Sequence, residues 1–136
     1  MIRTGVTVDS SFIIDVLRGT AEALAVSKDL DARGEAKFLT TPVLYEVSAG
    51  LMLTRSRSET NAFRALASRF AILPFDEASA VRAAEIRAEL MRLGRPKAHV
   101  DVMTAGIASA HGHTLVTRDK DLIDISESVD LHIEVY

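Results

Sequence analysis

The sequence predicts an α/β fold in which a mostly parallel central sheet is flanked by helices. Short β-branched segments alternate with longer helical patterns along the 136 residues, which is the arrangement of βαβ units. The composition fits a single globular domain over 1–136, because 48% of the residues are hydrophobic and 26% are charged. A chain of this length buries a sizeable core without disulfides or metal staples.

The first half of the chain predicts two strands, each followed by helices. The segment "VTVD" predicts a strand ending at Asp9, and "FIIDVLR" predicts a helix that Gly19 ends. A second helix is expected over about 20–33. Next, "KFLTT" predicts a short strand, and Pro42 suits the first turn of a helix that reaches about Thr54.

The second half continues the alternation. A helix near 59–70 follows a serine-rich break, and "FAILPF" predicts a third strand. Asp76 then opens a long helix that ends near Leu93. The last third predicts a helix over about 98–111, the strand "TLVT", a short helix after Asp119 and a terminal strand in "LHIEVY".

Composition also restricts the chemistry. The chain has no cysteine, which excludes disulfides, thiolate zinc sites and cysteine nucleophiles. A net charge of −3 provides no general basic field for nucleic acid, and 5% aromatic residues without tryptophan argue against a base-stacking platform. A bound polynucleotide would be held mainly through its phosphates. With no signal-like or membrane-spanning apolar run, we expect a soluble cytoplasmic protein with no membrane partner.

Four acidic residues stand where an open α/β sheet binds ligands, beyond the carboxyl ends of its strands. Asp9 and Asp119 follow strands directly, although either could simply cap a helix. Asp101 lies in or near the first turn of a helix, where the helix dipole alone would favour it. Glu46 lies beside an apolar helix face, where an unpaired carboxylate is costly to bury unless a metal, an arginine or a proton compensates it, or the helix edge is exposed.

Brought to one edge, these four carboxylates would repel one another without cations. Hard divalent ions with oxygen ligands, Mg²⁺ or Mn²⁺, are the expected compensation. Small residues in the helix after Asp101, including Ala105, Gly106 and Ala108, should let that helix press closely on the sheet and hold Asp101 near the strand ends. Asp121 can cap or stabilise the last short helix.

The segments "VDSSFIIDVL", "TTPVLYEVSAGL" and "HVDVMTAGIASAHGHTLVTRDKDL", in this order, resemble the PIN domain family, and most closely its VapC-type toxins from VapBC toxin–antitoxin pairs. The resemblance implies a three-layer fold and a Mg²⁺- or Mn²⁺-dependent endoribonuclease with one or two ions. It departs at Thr104-Ala105-Gly106, where an isoleucine and two alanines are usual, and at Leu122, where phenylalanine is common. By motif position the family's four acids fall on Asp9, Glu46, Asp101 and Asp119, its accompanying hydroxyls on Ser11 and Thr117, and a further acidic position on Asp121.

Basic residues near the acids are candidates for weak RNA contacts. They are Arg92, Arg95 and Lys97, in the segment "RLGRPK", and Arg118 beside Asp119. Their alternative role is a solvated loop. Asp15 is expected on the side of its helix away from the strand end, and "AHGHT" is interpreted as a helix end at Gly112 rather than a metal site.

Two kinds of protein partner follow from the family and from the apolar helices. We expect a homodimer and a groove for an amphipathic segment of a VapB-like antitoxin. Two other functions stay open at this point. One is a phosphotransfer or phosphatase domain with an acidic pocket, although a haloacid-type phosphatase would carry a second aspartate where Ser11 stands. The other is a catalytically inert PIN-like interaction module.

Overall fold

A computed structural model describes residues 5–136. Its centre is a five-stranded sheet in the order β3-β2-β1-β4-β5, and every neighbouring pair is parallel. The predicted sheet is therefore confirmed, and its last strand is also parallel. The strands are β1 (Val6–Val8), β2 (Lys37–Thr40), β3 (Ala71–Leu73), β4 (Thr114–Thr117) and β5 (Ile133–Val135).

Each predicted helix is present, and its ends lie within two residues of those expected, except that the helix expected to reach Phe70 ends three residues earlier, at Ala67. The third helix is capped by the last residue of the preceding strand. Thr40 is the cap, because its Oγ1 accepts the Val43 N–H at 3.3 Å. The helices are α1 (Ser10–Arg18), α2 (Ala21–Arg33), α3 (Thr41–Thr54), α4 (Arg57–Ala67), α5 (Glu77–Arg92), α6 (His99–His111) and α7 (Lys120–Ser128).

Two apolar clusters cover the sheet and give the three-layer arrangement. Helices α1 to α4 contribute to one cluster, in which Phe12 and Leu30 pack with Leu39 of β2. Helices α5 to α7 contribute to the other, in which Ile86 and Leu122 are buried with Leu115 of β4, so the leucine that replaces the usual phenylalanine is a core residue. No helix within residues 5–136 combines the length and apolar character needed to cross a membrane.

The histidine segment after α6 is structural, as interpreted from the sequence. Gly112 adopts φ 68° and ends the helix. The buried His113 pairs through Nδ1 with the Thr7 hydroxyl at 3.0 Å, and its ring stacks on Phe38 with centroids 4.6 Å apart. Burial lowers the pKa of His113, which favours the neutral ring in this packing.

The small residues of α6 pack in two directions, which corrects the expectation that they face only the sheet. Ala105 and Ala108 do lie in the cluster with Leu115. Gly106 instead faces α5, where an added Cβ would lie 2.7 Å from the Cβ of Ala83. The departure from the usual alanine at this position therefore has a physical reason, because α5 leaves no room for a methyl group.

Candidate active site

The carboxyl ends of β1, β2 and β4 are neighbours, because β1 lies between the other two strands. Asp9 follows β1 directly and Asp119 lies two residues beyond β4. Glu46 projects from α3, which begins immediately after β2, and Asp101 is in the first turn of α6. The topology thus carries all four predicted acids to one edge of the sheet.

Asp9 is the most buried of the four, at 2% exposure. Its Oδ1 caps α1 by accepting the Phe12 N–H at 3.0 Å. Its Oδ2 accepts a 2.6 Å hydrogen bond from Thr117, and Ser11 donates at 2.8 and 2.9 Å to the two oxygens. Burial raises the pKa of Asp9, while these hydrogen bonds act in the opposite direction. Both predicted hydroxyl residues therefore hold the Asp9 carboxylate.

Asp119 is held by the same network. Thr117 Oγ1 accepts the Asp119 backbone N–H at 2.8 Å while donating to Asp9. The Asp119 Oδ1 accepts the Asp121 N–H at 2.8 Å and so caps α7. One threonine hydroxyl thus links the two strand-end acids, and both acids begin helices.

Asp101 shows that the acids interact. Partial burial, followed by the negative charges of Asp119, Asp121, Glu46 and Asp9, raises the pKa of Asp101 from 3.8 to about 7. The neighbouring carboxylates thus add to the effect of burial, and a bound cation would oppose their contribution.

Glu46 differs from the expectation based on burial. Glu46 is exposed in the structure. The expectation that its carboxylate is buried and needs a compensating charge was therefore wrong, and the alternative, an exposed edge of the helix, is correct. Within residues 5–136, no three histidine, aspartate or glutamate side chains are arranged to hold an ion by themselves. The oxygen donors nonetheless fit a hard divalent ion, which keeps several waters and needs only a few carboxylates.

Asp121 and the segment before α6 bind one another. Lys97 donates to Asp121 at 3.1 Å and to Asp124 at 2.9 Å, so both carboxylates are paired with a lysine predicted to contact RNA. Arg95 donates to Ser128 at 3.3 Å, and Arg92 lies 3.4 Å from Glu89. These three basic residues contact side chains of α5 and α7 in the structure.

Arg118 belongs to a network that the sequence did not indicate. Its Nε and Nη2 both donate to the buried Asp15 carboxylate, which also accepts the Tyr136 phenol at 2.8 Å. Arg118 accordingly lowers the pKa of Asp15. Both partners of Asp15 directly follow strands, Arg118 after β4 and Tyr136 after β5, so the expectation that Asp15 faces away from the strand ends was wrong and its role as the partner of Arg118 was missed. The available signal was an aspartate among the apolar positions Phe12, Ile13 and Val16 of one helix.

Comparison with known proteins identifies the family. The family model described as PIN domain matches residues 6–128. The chain belongs to the PIN domain family. This PIN protein is 44% identical over 52 residues to the tRNA(fMet)-specific endonuclease VapC of Shigella flexneri, a match that spans 38% of the chain and 39% of that relative.

Solved structures share the fold of this PIN protein. VapBC2 from Rickettsia felis, bound to a promoter DNA fragment, matches with a TM-score of 0.84 at 19% identity, over 96% of this chain and 98% of that one. DNA-bound VapBC from Salmonella typhimurium matches with a TM-score of 0.80 at 23% identity, over 99% of this chain and 98% of that one. The FitAcB structure from Neisseria gonorrhoeae matches with a TM-score of 0.78 at 24% identity, over 94% of this chain and 95% of that one. At these identities the likeness establishes the fold alone.

Proposed function

We propose that this PIN protein is a Mg²⁺- or Mn²⁺-dependent endoribonuclease and the toxin of a type II toxin–antitoxin pair. The observation that carries the proposal is the convergence of Asp9, Glu46, Asp101 and Asp119, from separate elements, at one edge of the sheet. Burial together with the neighbouring carboxylates raises the pKa of Asp101 there to about 7, and a divalent cation would offset the repulsion among these charges. The partial sequence match to a VapC endonuclease supports the same activity.

Asp9, Glu46, Asp101 and Asp119 would hold one or two ions. A bound divalent ion supplies an activated water and stabilises negative charge on the phosphate and the leaving oxygen. The protein's part is to fix its ligands before the substrate arrives. Ser11 and Thr117 hold the Asp9 carboxylate through hydroxyl hydrogen bonds, and Thr117 also fixes the Asp119 backbone.

A phosphotransfer function is less compatible with the residues beside Asp9. The Ser11 hydroxyl occupies the position from which a second aspartate would act in a haloacid-type phosphatase. Accumulation of an acyl phosphate on Asp9 would nevertheless reverse this ranking.

The antitoxin would lie beside the acidic edge. An open apolar cavity of about 340 Å³ runs between α1, α3 and α4, with Glu46 at its rim. Apolar grooves between helices accept amphipathic helices through residues spaced three or four apart. The similar VapBC structures pair a toxin with an antitoxin, which supports the same partnership here. The lining residues are Ile14, Leu17, Arg18, Glu46, Val47, Gly50, Leu51, Thr54 and Glu59.

A homodimer is the second proposed partnership. Helix α3 exposes the large apolar side chains of Tyr45, Met52 and Leu53 to solvent. Exposed apolar groups concentrated on one helix are typical of surfaces that associate. Sedimentation equilibrium of the wild type and of Leu53→Ser tests the assignment, and an unchanged dimer in the variant would contradict it.

The nuclease activity is tested by incubating antitoxin-free protein with RNA in Mg²⁺, in Mn²⁺ and in EDTA. Cleavage should require the metal, and Asp9→Asn and Asp101→Asn should abolish it. Cleavage in EDTA, or full activity in both variants, would contradict the proposal. Complete inactivity of the wild type with metal would favour an inert PIN-like interaction module.

A further inference from the structure

A second, polar groove opens from the acidic edge on the side of α1 and α7. Its volume is about 520 Å³. Ser11 and Asp119 form the wall that it shares with the proposed active site, because Ser11 also donates to Asp9. A polynucleotide bound at the four acids can therefore continue into this groove while staying in contact with the protein surface. The remaining lining residues are Ser10, Ile14, Arg18, Arg118 and Lys120.

The groove is lined by three cations and by one carboxylate, that of Asp119. The Arg118 guanidinium is neutralised by Asp15, which it contacts through two nitrogens. Arg18, at the end of α1, and Lys120, at the start of α7, are both exposed. Among residues 5–136 neither forms an ion pair. Arg18 lies seven residues after Ser11, on the same face of α1, and this spacing could have identified it from the sequence.

The opposite flank of the acidic edge has a different chemistry. A shallow cavity between α3 and α6 is lined there by Thr41, Pro42, Tyr45, His99, Val100 and Met103, without lysine or arginine. Phosphate groups are attracted to cations and avoid carboxylates. A polynucleotide that places one phosphate at the acids therefore gains most by directing the adjacent phosphate into the groove of Arg18 and Lys120.

We propose that Arg18 and Lys120 bind the backbone phosphate next to the scissile one in single-stranded RNA. This inference rests on the proposed nuclease function. The groove has no aromatic residue among its lining side chains, so it contacts the backbone without stacking bases. Arg118 also lines the groove, and Asp15, which accepts from Tyr136 as well, holds it in place rather than leaving it free to follow the substrate.

The binding test uses a protein that does not cleave. In an Asp101→Asn background with Mg²⁺, fluorescence anisotropy follows a labelled single-stranded RNA oligonucleotide at several salt concentrations. The added pair Arg18→Gln and Lys120→Gln should weaken binding at least tenfold. Loss of the contact to this one phosphate should also reduce the slope of log affinity against log salt by about 0.7.

A matched control separates local contacts from overall charge. Lys28→Gln with Arg87→Gln removes the same two charges from α2 and α5, outside both the groove and the acidic edge. This control should bind within about twofold of its parent and keep the salt slope. Equal losses in the two double variants, or an unchanged slope in the groove variant, would overturn the proposal.

Cleavage assays with Asp101 intact distinguish this proposal from the nuclease proposal. Removing Arg18 and Lys120 should raise KM more than it lowers kcat, because the contact is made to ground-state RNA. Metal-dependent cleavage with an unchanged KM in the groove variant would overturn the groove assignment alone. If binding depends on the two cations while the wild type cleaves no RNA, the groove assignment stands and the nuclease proposal fails.

Discussion

The change Asp101→Asn should stabilise the metal-free protein while abolishing its activity. In the folded protein, burial and neighbouring carboxylates raise the pKa of Asp101 from 3.8 to about 7. A raised carboxyl pKa means that the folded state binds the proton more tightly than the unfolded state. This stabilisation is complete below about pH 3.8 and is lost as the pH rises through about 7. At pH 8 the ionised Asp101 therefore opposes folding, and asparagine removes that opposition.

The expected size follows from the two pKa values. A difference of about three pH units corresponds to an upper limit of about 4 kcal/mol in the free energy of unfolding. Solvent screening at a half-buried carboxyl, and the lost attraction to the α6 dipole, reduce the expected gain to about 1–2 kcal/mol. For a domain of this size the melting temperature at pH 8 should rise by about 4–8 °C.

Thermal unfolding in EDTA at pH 8 and pH 5 measures this effect. At pH 5 the folded wild type keeps the proton on Asp101, so the gain from asparagine should fall to less than half. Asp130→Asn is the control, because the Asp130 side chain is 89% exposed. Added Mg²⁺ should raise the melting temperature of the wild type more than that of Asp101→Asn. An equal gain at both pH values, or no gain at pH 8, would refute the reasoning.

Four further substitutions, at three positions, test the packing around the site and the antitoxin cavity. Gly106→Ala should destabilise the protein by about 1–3 kcal/mol in urea unfolding, since the new methyl group meets Ala83; an unchanged midpoint would contradict the close contact. Gly50→Phe should abolish antitoxin binding, measured by calorimetry, while nuclease activity is kept. Gly50→Ala adds a methyl group that meets no atom within 4 Å, so it should raise the free energy of unfolding by about 0.5–1 kcal/mol and should still bind the antitoxin. Thr117→Val should lower the free energy of unfolding by about 1–3 kcal/mol and should lower kcat, because the Asp9 carboxylate loses a hydrogen-bond donor. Full activity would show that this hydrogen bond is dispensable.

The fold was largely predictable because its signals are local. Alternating β-branched segments, caps such as Asp76 and helix-ending glycines such as Gly19 act over a few residues, and the structure confirms each of them. A parallel sheet places the carboxyl ends of all its strands at one edge, so Asp9 and Asp119 were predictable there, whereas the adjacency of β1 and β4 came from the structure.

What the sequence did not indicate depends on contacts between distant segments. Arg118, Asp15 and Tyr136 meet across more than a hundred residues, and no periodic pattern encodes such a contact. Side-chain exposure was a second difficulty. The period of α3 placed Glu46 at the border of its apolar face, and only the packing of the neighbouring helices decides that this border is exposed.

Two of the four acids also have a structural role that is independent of catalysis. Asp9 and Asp119 each begin a helix, so selection for a stable fold would preserve them in a descendant that no longer cleaves RNA. Neither Glu46 nor Asp101 caps a helix, and at Asp101 the charge opposes folding. In a related chain that has lost the activity, substitutions should therefore be found first at these two positions. Acids at the Glu46 and Asp101 positions are thus the better sequence marker for distinguishing a working nuclease from an inactive relative.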